Sequence, residues 1–218
     1  MKKLFFIMAI CLCAGAMFAQ SNSIFPQEGK VMEYSAAVKM PTGEQKMEIK
    51  QFIKSKDGDN LVITTQTGGK NIDIQYKIAG AKIIISFQEM MNSALAQMGK
   101  VEVTEVSGDL AYPLTLEPNK QYDDVSMKIK GTIQGMEMTL SISMENRRAE
   151  GKESITVPAG TFECIKVLEE NVVQVMGQDQ ISEITTWYAP GIGMVKQYTN
   201  SMNGMVTNTM ELVKISDK

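Results

Sequence analysis

The chain has 218 residues, 22 Lys and Arg against 25 Asp and Glu, and no histidine. Without imidazole there is no Ser-His-Asp or Cys-His relay, no histidine-built zinc or copper site and no histidine proton switch. The net charge of −3 repels phosphate backbones, which argues against nucleic acid as a partner.

Met1-Lys2-Lys3 followed by the uncharged run Leu4 to Ala19 has the basic head, short apolar body and small-residue end of a secretory signal peptide, and it is too short to span a bilayer comfortably. Ala14-Gly15-Ala16 offers one cleavage site and Ala19 before Gln20 a second. The second is favoured because polar, turn-forming sequence starts at Gln20. A lipid-modified cysteine needs a small residue before it, whereas Cys11 follows Ile10 and Cys13 follows Leu12. The expectation is residues 1–19 removed, residues 20–218 as a single domain in the periplasm or secreted, not a lipoprotein, and no transmembrane segment. Cys164 is then the one remaining cysteine. It lies in the strand-like run Thr161 to Val167 and reads as a small buried hydrophobe.

Strand signals dominate from Lys30 onward. Asp57-Gly58-Asp59-Asn60 separates strands at 43–56 and 61–67. Around Ala79-Gly80, Ile74, Tyr76 and Ile78 pair with Ile85, Ile83 and Ala81. Phe87, Met90, Met91, Ala94, Leu95 and Met98 recur at helical spacing before Gly99, predicting a short amphipathic helix over 87–98, read as a plug for an open end or a lid over a cavity. Residues 108–124 form a long connection whose apolar content packs on the body. In Val125 to Met144, alternation on both sides of Gln134-Gly135 pairs Ile133 with Met136, Ile129 with Leu140, Met127 with Ile142 and Val125 with Met144, with every apolar residue on one face. Val157-Pro158-Ala159-Gly160 is a turn. Gly177-Gln178 separates 162–176 from 179–188, and Asn203-Gly204 separates 194–202 from 205–215. The fold predicted is mainly β, an antiparallel meander closing into a barrel or strongly curved half-barrel.

Candidate sites are few. The 18 methionines, against seven phenylalanines and one tryptophan, are core filler or the lining of a plastic cavity for a hydrophobic ligand. On the second reading Met90, Met91, Leu95, Met127 and Met138 line it, with Trp187 and Tyr188 at its mouth. Thioether binding of copper at Met202, Met205 and Met210 lacks any assisting His or Cys. Asp57-Gly58-Asp59-Asn60 opens like a calcium loop but lacks the distal Glu. Glu145-Asn146-Arg147-Arg148-Ala149-Glu150 reads as a solvated edge, because adjacent strand residues face opposite ways and the glutamates pair with the arginines. Asp123-Asp124 reads as a turn or strand edge. No Ser or Thr sits in a G-x-S-x-G or S-x-x-K context. No cofactor and no metal is expected.

Gly151 to Val167, with Val157-Pro-Ala-Gly-Thr-Phe162, and Trp187-Tyr-Ala-Pro-Gly191-Ile-Gly-Met-Val-Lys196 resemble the paired motifs of exported TapB-like bacterial proteins of unknown function. These are similar in turn to a periplasmic family with a barrel or half-barrel shaped like lipoprotein carriers. The resemblance implies a fold and a compartment, with no activity to carry over. Physically both motifs read as scaffolding, Pro fixing φ, Gly allowing positive φ and Trp187 anchoring. The sequence thus favours a non-enzymatic binding module for a lipid-like molecule. The alternative is a structural protein with a filled core and an envelope protein as partner.

Overall fold

The computed structural model describes residues 28–86, 101–133, 136–175, 177–201 and 204–218. The helix predicted over 87–98, with Met90, Met91 and Leu95, lies outside the described residues, as do the signal segment and its cysteines.

The described chain is almost all antiparallel strand. Its elements are β1 (Lys30–Met40), β2 (Gly43–Asp57), β3 (Asn60–Thr67), β4 (Lys70–Ala79), β5 (Lys82–Ser86), β6 (Val101–Gly108), β7 (Leu110–Pro113), β8 (Lys120–Gln121), β9 (Val125–Ile133), β10 (Met136–Val157), β11 (Gly160–Val175), β12 (Gln178–Ala189), β13 (Gly193–Ser201) and β14 (Val206–Asp217). One sheet runs β6-β9-β10-β11-β12-β13-β14-β1-β2-β3-β4-β5-β7, with β8 added beside β10. Hairpin neighbours pair in sequence order because short turns make that the cheapest closure. The widest departure is β1 with β14, which join the two ends of the described chain from Lys30↔Asp217 to Lys39↔Thr207.

The two edge strands of this path, β6 and β7, are separated in sequence by Asp109 alone. They act as one strand that pairs with β9 through its first half and with β5 through its second. The sheet thereby returns on itself as a nearly closed barrel. The handover needs Gly108, whose φ is +80° and whose missing Cβ would stand 2.2 Å from the carbonyl oxygen of Ser126.

Alternation puts the core inside. Met32, Tyr34, Leu61, Ile63, Ile83, Ile129, Met210 and Leu212 are all fully buried. The β9–β10 register is the one the alternation predicts, from Met136↔Ile133 to Met144↔Val125. The β4–β5 pairing differs by two residues: Ile78 meets Ile83 and Tyr76 meets Ile85. The turn is centred on Gly80-Ala81, because Gly80, at φ +62°, takes the first central position. A shift of two keeps the same face inside, so the core is unchanged. At the β11–β12 turn the register likewise differs by two, with Val175 opposite Gln178. The connection expected over 108–124 is partly strand, forming β7 and β8.

Both resemblance motifs pack at one end of the barrel. The tip of the long β10–β11 hairpin reaches β14, where the Ala159 N–H donates to the Leu212 carbonyl at 3.2 Å. The Ala189 turn is closed by the Ile192 N–H at 3.0 Å, and the Tyr34 hydroxyl donates to the Met194 carbonyl at 3.1 Å. Cys164, between the two motifs in the chain, is fully buried, and its thiol is pushed up to about 12 by burial, then by Glu163 and Glu153. Thiolate is the reactive form, so native protein is expected to resist a thiol reagent at pH 8 and to label completely once unfolded in denaturant. A fast-reacting native thiol, read by mass, would contradict this burial.

Candidate ligand site

Strict alternation along β10 would send Arg147 outward. A β-bulge prevents it: Glu145 lies opposite Glu170 and Arg148 opposite Leu168, so Asn146 and Arg147 together face Glu169. Asn146 adopts φ +53° and gives its N–H to Asp124 Oδ1 at 2.9 Å. The Arg147 side chain turns into the barrel. Its Nε lies 3.6 Å from Glu169 Oε2, its Nη1 donates to the Asp123 carbonyl at 3.1 Å, and its guanidinium stacks 4.8 Å from the centre of the Tyr112 ring. The Tyr122 N–H returns a bond to the Arg147 carbonyl at 2.8 Å, docking the β8 segment on the bulge. Both side chains of the pair are buried, at 5% and 7% exposure.

The expectation of a solvated edge at 145–150 is therefore corrected. Arg148 and Glu150 are partly exposed and paired, but Arg147 is a core residue because the bulge resets the alternation. Asp123-Asp124 serves as the acceptor pair that holds the bulge.

Burial raises the Glu169 carboxyl above its usual range, and Arg147 offsets this only in part. Burial, then Glu169, likewise push the Tyr112 and Tyr188 hydroxyls upward, so both rings are neutral donors at physiological pH. These groups, with Pro113, Leu116, Tyr122 and Val167, line a recess of about 10 Å³, the space of one water molecule.

Beyond Glu169 the inner wall carries polar side chains between apolar ones such as Val173 and Ile184. Asn171, Ser182, Thr186, Gln197, Thr199 and Ser201 are all buried on β11 to β13. Ser182 and Ser201 share a hydrogen bond at 2.6 Å, and Gln197 Nε2 donates to Thr186 Oγ1 at 3.1 Å. Asn171 Oδ1, Gln197 Oε1, Thr199 Oγ1 and Asn208 Oδ1 have neither a partner among the described residues nor contact with solvent. Register places these side chains on one face: Asn171 opposite Ser182, Ser182 opposite Ser201, and Thr199 opposite Asn208. A polar belt thus adjoins the apolar wall of β9 and β10, where Met144 is the ladder partner of both Asn171 and Val125.

Of the residues read from sequence, Met127 is buried and Met138 half-buried on this same apolar wall, opposite Ile142 and Gly131. Trp187 and Tyr188 do not act together. Tyr188 faces inward beside Ile165, while Trp187 is half-buried on the outer face, where its Nε1 donates to Glu153 and Lys196 sits 6.0 Å from its ring. Among the described residues no three His, Cys, Asp or Glu side chains converge as a metal site.

A family model described as DUF3108-like matches residues 23–212. The chain belongs to this family. No curated protein matches the sequence. Among solved structures, a Bacteroides fragilis protein described as exported, with a YmcC-like fold, is 18% identical with a TM-score of 0.59, over 91% of this chain and 100% of that one. A Parabacteroides distasonis protein described as a lipoprotein is 19% identical with a TM-score of 0.60, again over 91% and 100%. At these identities the likeness of the DUF3108-like chain to both is one of fold.

Proposed function

We propose that this chain is an exported, non-enzymatic binding protein whose barrel holds a lipid-like molecule. Its Met-containing wall takes the apolar part and its β11–β14 belt the polar part. The observation that carries the reading is the set of buried oxygens without partners on the inner wall. A protein that only needed a filled core would place apolar residues there, since an unpartnered buried polar group costs about 1–3 kcal/mol. Met127, Met138 and Met144 support an adaptable apolar lining beside it. The export half of the proposal draws on the Met1 to Ala19 segment and on the descriptions of the two structural relatives. Protein isolated from its own envelope is expected to begin at Gln20, and a lipidated amino terminus would overturn the cleavage site.

Native mass spectrometry of protein purified gently from that envelope, followed by organic extraction, tests the binding half. A bound apolar or amphipathic mass near one per chain is expected. The second reading is a filled barrel acting through its surface in the envelope, favoured by the recess beside Arg147, which is the size of a single water. A clean unliganded mass with no thermal shift from a lipid panel would establish that reading.

A further inference from the structure

Resting on the ligand-holding reading, we infer that the belt on β11, β13 and β14 is a receptor for an uncharged, hydroxyl-bearing head group, so that the amphiphile held is of the acylglycerol or glycolipid kind. Three features lead there. The orphaned atoms of the belt are Asn171 Oδ1, Gln197 Oε1, Thr199 Oγ1 and Asn208 Oδ1: three carboxamide oxygens and one hydroxyl. A carboxamide oxygen accepts, and a hydroxyl both donates and accepts. Their complement is a group that donates. A hydroxyl qualifies, a carboxylate or phosphate only accepts, and an ammonium donates but brings a charge.

Charge narrows the class further. The buried ionic groups beside the belt are Arg147 and Glu169, and they face each other at 3.6 Å, leaving no net charge to receive an ionic head. Burying an unpaired ionic head against this wall is costly, whereas a hydroxyl loses little if its hydrogen bonds are remade inside. The third feature is the boundary. Met144 lies directly opposite Asn171 across the β10–β11 ladder, so head and tail subsites adjoin without a gap.

The experiment compares three amphiphiles of equal chain length, monolauroylglycerol, laurate and dodecylphosphocholine, by calorimetry on the 20–218 chain, its Thr199→Val and Asn171→Leu variants, and Gln197→Met in reserve if either fails to fold. Monolauroylglycerol is expected to bind about tenfold or more tightly than the other two. The variants are expected to lose that preference while keeping affinity for the tail, and to melt at higher temperature without ligand, because the orphaned groups are gone. Equal affinity for all three heads, unchanged in the variants, overturns the head-group inference and leaves the ligand-holding reading standing. No binding of any of them overturns both. Variants that melt lower, with no change in preference, assign the belt to internal water and also overturn the inference.

Discussion

Glu169→Gln is expected to destabilise the protein by about 3–5 kcal/mol at pH 7, the largest effect expected of any isosteric change in the barrel. Gln can still accept from the Arg147 guanidinium, but it leaves a buried cation with no counter-charge, and arginine cannot shed its proton. That cation is already fixed by the Asp123 carbonyl and the Tyr112 ring, so it has no route to water without opening the β8 segment. Arg147→Met leaves the opposite partner behind and is expected to cost less, because a lone buried Glu169 can neutralise itself by binding a proton. The difference carries a pH signature. A carboxyl whose pKa is raised on folding contributes stability below its unfolded value and loses it as pH rises through its folded value. Glu169 is raised from 4.5 in the native chain, and removing Arg147 raises it further. The stability gap between Arg147→Met and the native protein is therefore expected to be small near pH 4.5 and to widen toward pH 7. The exposed carboxylates held low by lysines, such as Glu33 and Glu105, titrate in both proteins and cancel in the difference. The double variant Arg147→Met with Glu169→Leu is expected to recover most of the loss, as replaced buried pairs do when the volume is filled. Urea midpoints across pH 4.5–7 decide it. A gap that closes on going to pH 7, or a double variant as weak as Glu169→Gln, would show that the pair is not the buried unit described.

The barrel was legible because its signal is redundant. Each of Val125, Met127 and Ile129 repeats the same inward parity, so the alternation of one strand tests the register of its partner. Where only a turn fixed the register, as at Gly80, the reading slipped by two while keeping the faces right. The Arg147 site was not legible for the opposite reason. A bulge is a break in parity, and Glu145 to Glu150 carries no apolar residue other than Ala149 to reveal the new phase. Trp187 and Tyr188 illustrate the limit of composition. Adjacent aromatics look like one anchor, but a strand sends one to each face. The polar belt had a signal that parity alone exposes. Counting on from Ile165 and Val167, Glu169 and Asn171 fall at inward positions, and Gln197 and Thr199 do so on β13.

Gly108→Ala is expected to open the barrel, with a loss of about 2–4 kcal/mol. About 1–3 kcal/mol of this comes from holding a non-glycine residue at positive φ. The rest comes from the clash of a new Cβ that would lie 2.2 Å from Ser126 O, a distance the β6–β9 ladder can relieve only by letting go of Met127 opposite Gly108. The consequence reaches beyond the local bond because the β6–β7 strand is the one that joins β9 to β5. Without the turn at Gly108, β7 cannot stay beside β5 while β6 stays beside β9. The seam next to Tyr112 then widens, and with it the packing over Arg147. Amide hydrogen exchange separates this from a merely local strain. Faster exchange is expected at Ile83 and Ile85, which pair with Tyr112 and Leu110, as well as around Ser126, while the β11–β14 ladders keep their protection. Protection lost only at residues 107–109 and 126–127 would mean that the two half-strands hold their partners independently, and that the barrel does not depend on the continuity between them.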